Sequence, residues 1–286
     1  MQSAKRTTGP ALLILATLAA TLPAPVLAGE TPGQKQAAPP TYADLADLAD
    51  SAELVLRARK LRLIRVEDER APGLRPGWGR YYIRAKTSAL LTGQAVVGES
   101  LAYLADLPLD TKGKPPAIGG KTEVILFARS VPGRPGELSL VAPDAQLIWS
   151  EALEARLRPI LTELALANAP SRITGVREMI HVPGTLAGEG ETQIFLSTAD
   201  DSASSVTVRH KPGTPPGWGV SFSELIADVS HPPQPDTLAW YRLACFLPNM
   251  PPHSADISDS ASNRAQAQAD YRMVLGELGP CPRSRQ

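Results

Sequence analysis

From residue 51 to residue 66 the chain reads Ser-Ala-Glu-Leu-Val-Leu-Arg-Ala-Arg-Lys-Leu-Arg-Leu-Ile-Arg-Val. Leu54, Leu56 and Ala58 alternate with Val55, Arg57 and Arg59, the period of two of a half-buried strand. The phase then slips. Leu61 and Leu63 are apolar on odd numbers, and Ile64 and Val66 return to even ones. A one-residue slip turns every later side chain to the other face unless a bulge absorbs it, so the pattern predicts a long, bent strand starting near Glu53. A rival helical stripe through Leu45, Leu48, Ala52, Val55, Leu56, Arg59 and Leu63 is accommodated by a short helix over 42–50.

The next segments keep the same period. Tyr81, Ile83, Ala85, Ala89 and Leu91 alternate with Arg84, Lys86 and Ser88, a strand with one buried face. Leu101, Tyr103, Ala105 and Leu107 repeat the pattern. Residues 122–129 are apolar on both faces (Val124, Ile125, Leu126, Phe127), which predicts a central strand. A last strand falls at 138–141, after a Pro/Gly turn. Five strands within about 90 residues, one long and bent, predict an OB-like barrel.

A helical stripe follows: Leu153, Leu157, Ile160, Leu161 and Leu164, capped by Ser150. Pro159 inside it predicts a kink or break near Arg158. Strands are then expected at 173–182, 191–197, around Val206 and Val208, and around Trp218, Val220 and Phe222. Short helices are expected at 224–229, capped by Ser223, and at 237–247, capped by Asp236. A final helix over 261–278 is stopped by Gly279-Pro280. The expected fold class is α+β, mostly β: an OB-like β-barrel at 42–149, an antiparallel β-meander with packed helices at 150–248, and a Pro/Ser linker with a C-terminal helix at 249–286.

The N-terminus changes the setting. Lys5 and Arg6 precede an apolar run at 11–20 and the small residues Val26-Leu27-Ala28. This predicts a signal peptide at 1–28, cleaved after Ala28, and a disordered leader at 29–41. No later stretch approaches the ~20 apolar residues of a membrane-spanning helix. The two cysteines, Cys245 and Cys281, are then expected to form a disulfide. The full chain has 29 basic and 29 acidic residues; removing Lys5 and Arg6 leaves a slight acidic excess. Overall charge therefore gives no case for nucleic acid or an anionic membrane as partner.

Candidate chemistry is sparse. His181 and His210 each end a predicted strand and share a sheet edge, with Glu189, Glu191 and Asp200 as possible further zinc ligands. The spacing matches no zinc motif, and polar loop-end residues explain it as well. Asp44, Asp47 and Asp50 recur along one helix and offer a hard-cation face or a solvated one. Arg57, Arg59, Arg62, Arg84 and Lys86, with Trp78, Tyr81 and Tyr82, offer a basic face with rings, although Tyr81 falls on the buried phase. Neither Gly98-Glu99-Ser100 nor Pro170-Ser171 is a nucleophile elbow, and the Gly184–Gly190 region lacks a phosphate-loop pattern. Paired carboxylates for glycoside hydrolysis need no local motif and stay open. No cofactor and no metal are expected.

The stretches Ala-Asp-Ser-Ala-Glu-Leu-Val-Leu-Arg-Ala (49–58), Gly-Trp-Gly-Arg-Tyr-Tyr-Ile (77–83), Ala-Leu-Leu-Thr-Gly (89–93), Gly-Glu-Gly-Glu-Thr-Gln-Ile-Phe-Leu (188–196) and Asp-Thr-Leu-Ala-Trp-Tyr-Arg-Leu-Ala-Cys-Phe-Leu-Pro (236–248) resemble a family of exported alphaproteobacterial proteins without an assigned activity. The resemblance implies export and transfers no catalytic residue. The expectation is a periplasmic or secreted, non-enzymatic binding or envelope-associated module. Its partner would be an envelope protein or polymer rather than nucleic acid. The alternative is a periplasmic hydrolase acting on an envelope polymer at a site between the two domains, for which convergence of His181 and His210 would speak.

Overall fold

The computed structural model describes residues 39–94, 97–115, 122–223 and 231–285. The expected signal peptide, most of the leader and the short helix at 224–229 lie outside them. Helix α1 (Tyr42–Ser51) begins in a capping box: Thr41 accepts from the Asp44 backbone N–H, and the Asp44 side chain accepts from that of Thr41. Strand β1 (Leu54–Arg65) follows at once and is a strand throughout, not a continuation of the helix.

β1 pairs with β2 (Trp78–Thr92), β2 with β3 (Ser100–Pro108), β3 with β5 (Glu137–Leu140) and β5 with β4 (Glu123–Ser130). A β1–β4 pairing closes the ring. Every ladder is antiparallel except β3–β5, which makes a mixed, five-stranded OB-like barrel. Register shifts on the β1–β2 ladder include one between Lys60 and Arg62, the bulge that the phase slip required. It leaves Leu61 exposed and returns Arg62 and Ile64 to the outer face.

β4 shows why both of its faces are apolar. Val124, Leu126 and Ala128 point into the barrel with Leu54, Leu56, Ile83 and Tyr103. Ile125 and Phe127 point outward into a second core, with Val55, α1, α2 (Glu151–Leu164) and the second sheet. The barrel is therefore covered on its β1–β4 side, while the outer face of β2–β3 stays open. A short strand missed by the periodicity, β6 (Gln146–Ile148), lengthens the sheet beside β4. Three residues are too few to carry a readable alternation.

α2 runs through Pro159 as one helix, so the expected break does not occur. Leu153, Leu157, Ile160 and Leu161 are buried on its inner stripe, and their packing outweighs the backbone bond that the proline lacks. The second sheet is antiparallel in the order β10 (Gly217–Ser221), β9 (Ser205–His210), β8 (Gly190–Thr198), β7 (Ile173–Pro183). Helix α3 (Leu238–Ala244) is capped by Thr237, whose side chain accepts from Trp240 N at 3.2 Å. The expected cap, Asp236, instead takes φ +58° in the preceding turn. Helix α4 (Ala261–Leu278) stops at Gly279, φ +69°, and packs on β7 and β8 through Ala267, Asp270, Tyr271, Val274 and Leu278. The Cys245–Cys281 disulfide joins the end of α3 to the chain just beyond α4, with Cα atoms 5.2 Å apart. Among the described residues, no helix is long and apolar enough to cross a membrane.

Candidate binding face and the histidine cluster

Two groups of residues carry the sequence's candidate chemistry, and they have opposite environments. The first is interior. β7 points Met179 and His181 inward, β8 points Thr192 and Ile194, and β9 points Val206, Val208 and His210. α4 lays Asp270 across them. His181 Nδ1 lies 2.9 Å from Thr192 Oγ1, and the Thr192 hydroxyl donates to Asp270 Oδ2. Since that hydroxyl has one proton, His181 Nδ1 carries a proton and donates it to Thr192. His210 Nε2 lies 2.9 and 3.0 Å from the two Asp270 oxygens, and Gln266 donates to Oδ1 at 2.8 Å. The imidazole rings meet edge to face, centroids 6.0 Å apart. Gly190 lies beneath His181: a Cβ there would come within 2.7 Å of the ring.

The sequence thus places His181 beside His210, but the third partner is Asp270, from the last helix, and none of the acids weighed beforehand. Glu191 pairs with Arg209 at 2.8 Å, and Glu189 accepts from the backbone of Thr185 and Leu186 inside its own loop. Asp200 accepts from Ser202 N in the β8–β9 turn; hydrogen bonds from Ser202 and Ser171 drive its pKa far below the usual carboxylate range. Among the described residues, no three His, Cys, Asp or Glu side chains are grouped to hold a metal ion. Burial first, then the charge of His210, lowers the pKa of His181 against the opposing pull of Asp270. Of the four groups, His210 reaches furthest toward solvent, with 19% of its side chain exposed against 3% for Asp270. Asp270 is saturated and the Thr192 hydroxyl is committed to it, so the cluster pins α4 to the sheet and presents no free nucleophile.

The acidic row of α1 is likewise divided among separate structural partners. Asp44 accepts from Ser284 and from the Arg285 backbone. Asp47 accepts from Tyr241 Oη and Arg283, each at 2.6 Å. Asp50 bridges Arg242 and Arg172. Burial alone would raise the Asp50 pKa; the two guanidinium groups outweigh it and hold the carboxyl below its ordinary value.

The second group is on the surface. On the open side of the barrel, the outward residues form cross-strand rows. Arg62 stands opposite Arg84, and Arg84 opposite Ala102; Ile64 stands opposite Tyr82, and Tyr82 opposite Leu104. Ile64 is 41% and Leu104 50% exposed. Arg59 lies between Lys86 on β2 and Glu123 on β4. Arg59, Arg62 and Arg84 make no ion pair with a described residue, whereas their neighbours are engaged. Arg57 reaches Glu123 and Glu154, Lys86 pairs with Glu99, and Arg80 clasps Asp106 at 2.7 and 3.0 Å. Of the expected rings, Tyr81 is buried and Trp78 is stacked under Arg75 at 3.9 Å, which leaves Tyr82 facing outward. The face continues into an open groove of about 610 Å³, lined by Arg80, Tyr82, Leu104, Arg134, Glu137 and Pro143. The sequence showed these cations; that three of them remain unpaired depends on which acids the register brings within reach.

Neither a family model nor a curated protein sequence matches this chain.

Proposed function

We propose that this chain is an exported, non-enzymatic binding module whose barrel face, from Arg62 and Arg84 to the groove at Tyr82 and Leu104, holds an extended anionic polymer of the cell envelope. The observation that carries this reading is the direct opposition of Arg62 and Arg84. Like charges opposed across a ladder destabilise a sheet, so a face that retains them beside exposed apolar side chains is suited to a ligand with negative charge and some apolar surface. OB barrels use the outer face of strands 2 and 3 with its flanking loops for oligosaccharides and oligonucleotides, the region occupied here. Export to the periplasm or medium is supported by the leader pattern and the disulfide, and it makes an envelope glycan bearing carboxylates or phosphates the fitting ligand rather than nucleic acid. The near-neutral whole chain does not oppose this, because exposed charges act within about 8–10 Å.

The test is binding of the purified protein to polygalacturonate, polyphosphate and neutral dextran. Retention on the two polyanions and not on dextran supports the reading; equal or absent binding to all three overturns it.

One observation favours the hydrolase alternative: Asp270 orients His210, the arrangement that prepares a general base. It requires H210A to abolish hydrolysis of an envelope polymer while leaving the polymer bound. Absence of hydrolysis by the wild-type protein removes it.

A further inference from the structure

The disulfide joins two sulfurs with unlike surroundings. Cys245 is the C-cap of α3, where the helix carbonyls present partial negative charge. Cys281 lies in the tail, and Arg283 Nη1 donates to its Sγ at 3.4 Å. The other nitrogens of that guanidinium, Nε and Nη2, reach Asp47 at 2.6 and 3.2 Å, which fixes the group beside the sulfur. Both cysteines are half-buried.

A disulfide opens when a thiolate attacks one sulfur and the other leaves as a thiolate; the sulfur whose thiol has the lower pKa leaves faster. A neighbouring guanidinium stabilises a thiolate, and the C-terminal end of a helix does the reverse. Cys281 is thereby marked as the leaving sulfur and Cys245 as the one attacked. The other charged and titratable groups nearby are already paired. Asp47, on α1, accepts from Arg283 and Tyr241 Oη, and Arg242, on α3, is clasped by Asp50. Asp47 shares the charge of Arg283 but leaves Nη1 to the sulfur.

We propose that the Cys245–Cys281 bond is an exchange site for a dithiol reductant, with Cys281 as the leaving sulfur. One thiolate of the dithiol attacks Cys245 Sγ. The protein S–S bond breaks, and its electron pair leaves on Cys281 as a thiolate beside Arg283. The second thiolate of the dithiol then attacks its partner sulfur in the mixed disulfide, and Cys245 leaves with that electron pair and takes up a proton. The dithiol loses two electrons and two protons to become a disulfide. The protein gains both electrons and one proton, and the other proton goes to solvent. The reduced tail keeps its noncovalent anchors alone: Thr41 Oγ1 on Pro282 O at 2.8 Å, Ser284 on Asp44 and Arg285 on Asp144.

The test follows reduction of the native full chain by dithiothreitol in the wild type, R283Q and R285Q, read as the mass added on alkylation. R283Q is expected to slow reduction at least about threefold. R285Q removes a tail anchor without touching the sulfur and is expected not to slow it. An Arg283 that merely held the tail would have the opposite effect, because its loss would loosen the tail and speed reduction. Faster or unchanged reduction of R283Q, or equal slowing by R285Q, would therefore overturn the proposal. In the reduced wild type, Cys281 is expected to react with iodoacetamide at lower pH than Cys245, and R283Q is expected to narrow that gap. The reverse order of reactivity, or a native wild-type bond that dithiothreitol opens only after unfolding in urea, would also overturn it.

Discussion

Arg62 and Arg84 face each other across the β1–β2 ladder, both exposed and neither paired with an acid of the described chain. The pair follows directly from the bulge at Leu61: without that extra residue, Arg62 would turn toward the barrel interior. Because the opposition is unfavourable in the free protein, R62Q or R84Q should leave stability unchanged or raise it by up to about 1 kcal/mol. Urea unfolding of each variant checks this, and a loss of stability would show that the arginines serve the fold.

Lys60 has the opposite fate. It precedes the bulge, points inward, and is 2% exposed with no ion pair to a described residue. Burial lowers its pKa from 10.5 to about 8. At neutral pH the amine is charged in both folded and unfolded chains, so the fold bears the cost of burying the charge, on the order of 3 kcal/mol. As pH rises from about 8 toward 10.5, the folded chain releases the proton while the unfolded chain retains it, and stability increases. K60M should be more stable than the wild type at pH 7, with the difference shrinking toward pH 10. Denaturation midpoints of both proteins across that range give the answer.

The C-terminal tail is secured by covalent and ionic links. Beyond the Cys245–Cys281 bond, Arg283 reaches Asp47, and Arg285 reaches Asp144 at 3.0 Å. The disulfide closes a loop with a sequence separation of 36 residues, for which chain entropy gives about 4 kcal/mol. C245S/C281S should lose stability of that order. Reductant should lower the wild-type denaturation midpoint and leave that of the double variant unmoved.

Acid should loosen the junction of α4 with the second sheet. Burial favours neutral His181, so its folded pKa lies below the unfolded value of 6.5. Stability from this group is complete above that value. It falls as pH drops through 6.5, because the unfolded chain protonates first. The groups facing it are Asp270 on α4, which pulls the His181 pKa up, and His210 on β9, which pulls it down. H181Q should flatten the decline in stability below about pH 6.5, as measured by guanidinium unfolding.

Much of the fold was legible where one side chain period held without interruption. The β1 bulge, the two-faced β4 and the limits of α4 were all encoded in local pattern. What local pattern lacks is partners. Asp270 sits on the buried face of α4, where an isolated carboxylate reads as a break in an apolar stripe; its meaning comes from histidines 89 and 60 positions away in the chain, at 181 and 210. Asp44, Asp47 and Asp50 read as one acidic face, yet their partners come from α3, the β7 approach and the C-terminus. α2 shows packing overriding the propensity of Pro159, and α3 begins one residue late because Thr237, not Asp236, has the extended backbone that a cap requires.

The barrel face is tested most directly by titrating polygalacturonate into the wild-type protein and R62Q/R84Q over a series of salt concentrations. The wild type should bind, with affinity falling steeply as salt rises, and the double variant should bind at least about tenfold more weakly with a shallower salt dependence. Equal affinity and equal salt dependence in the two proteins would contradict an anion-binding role for this face.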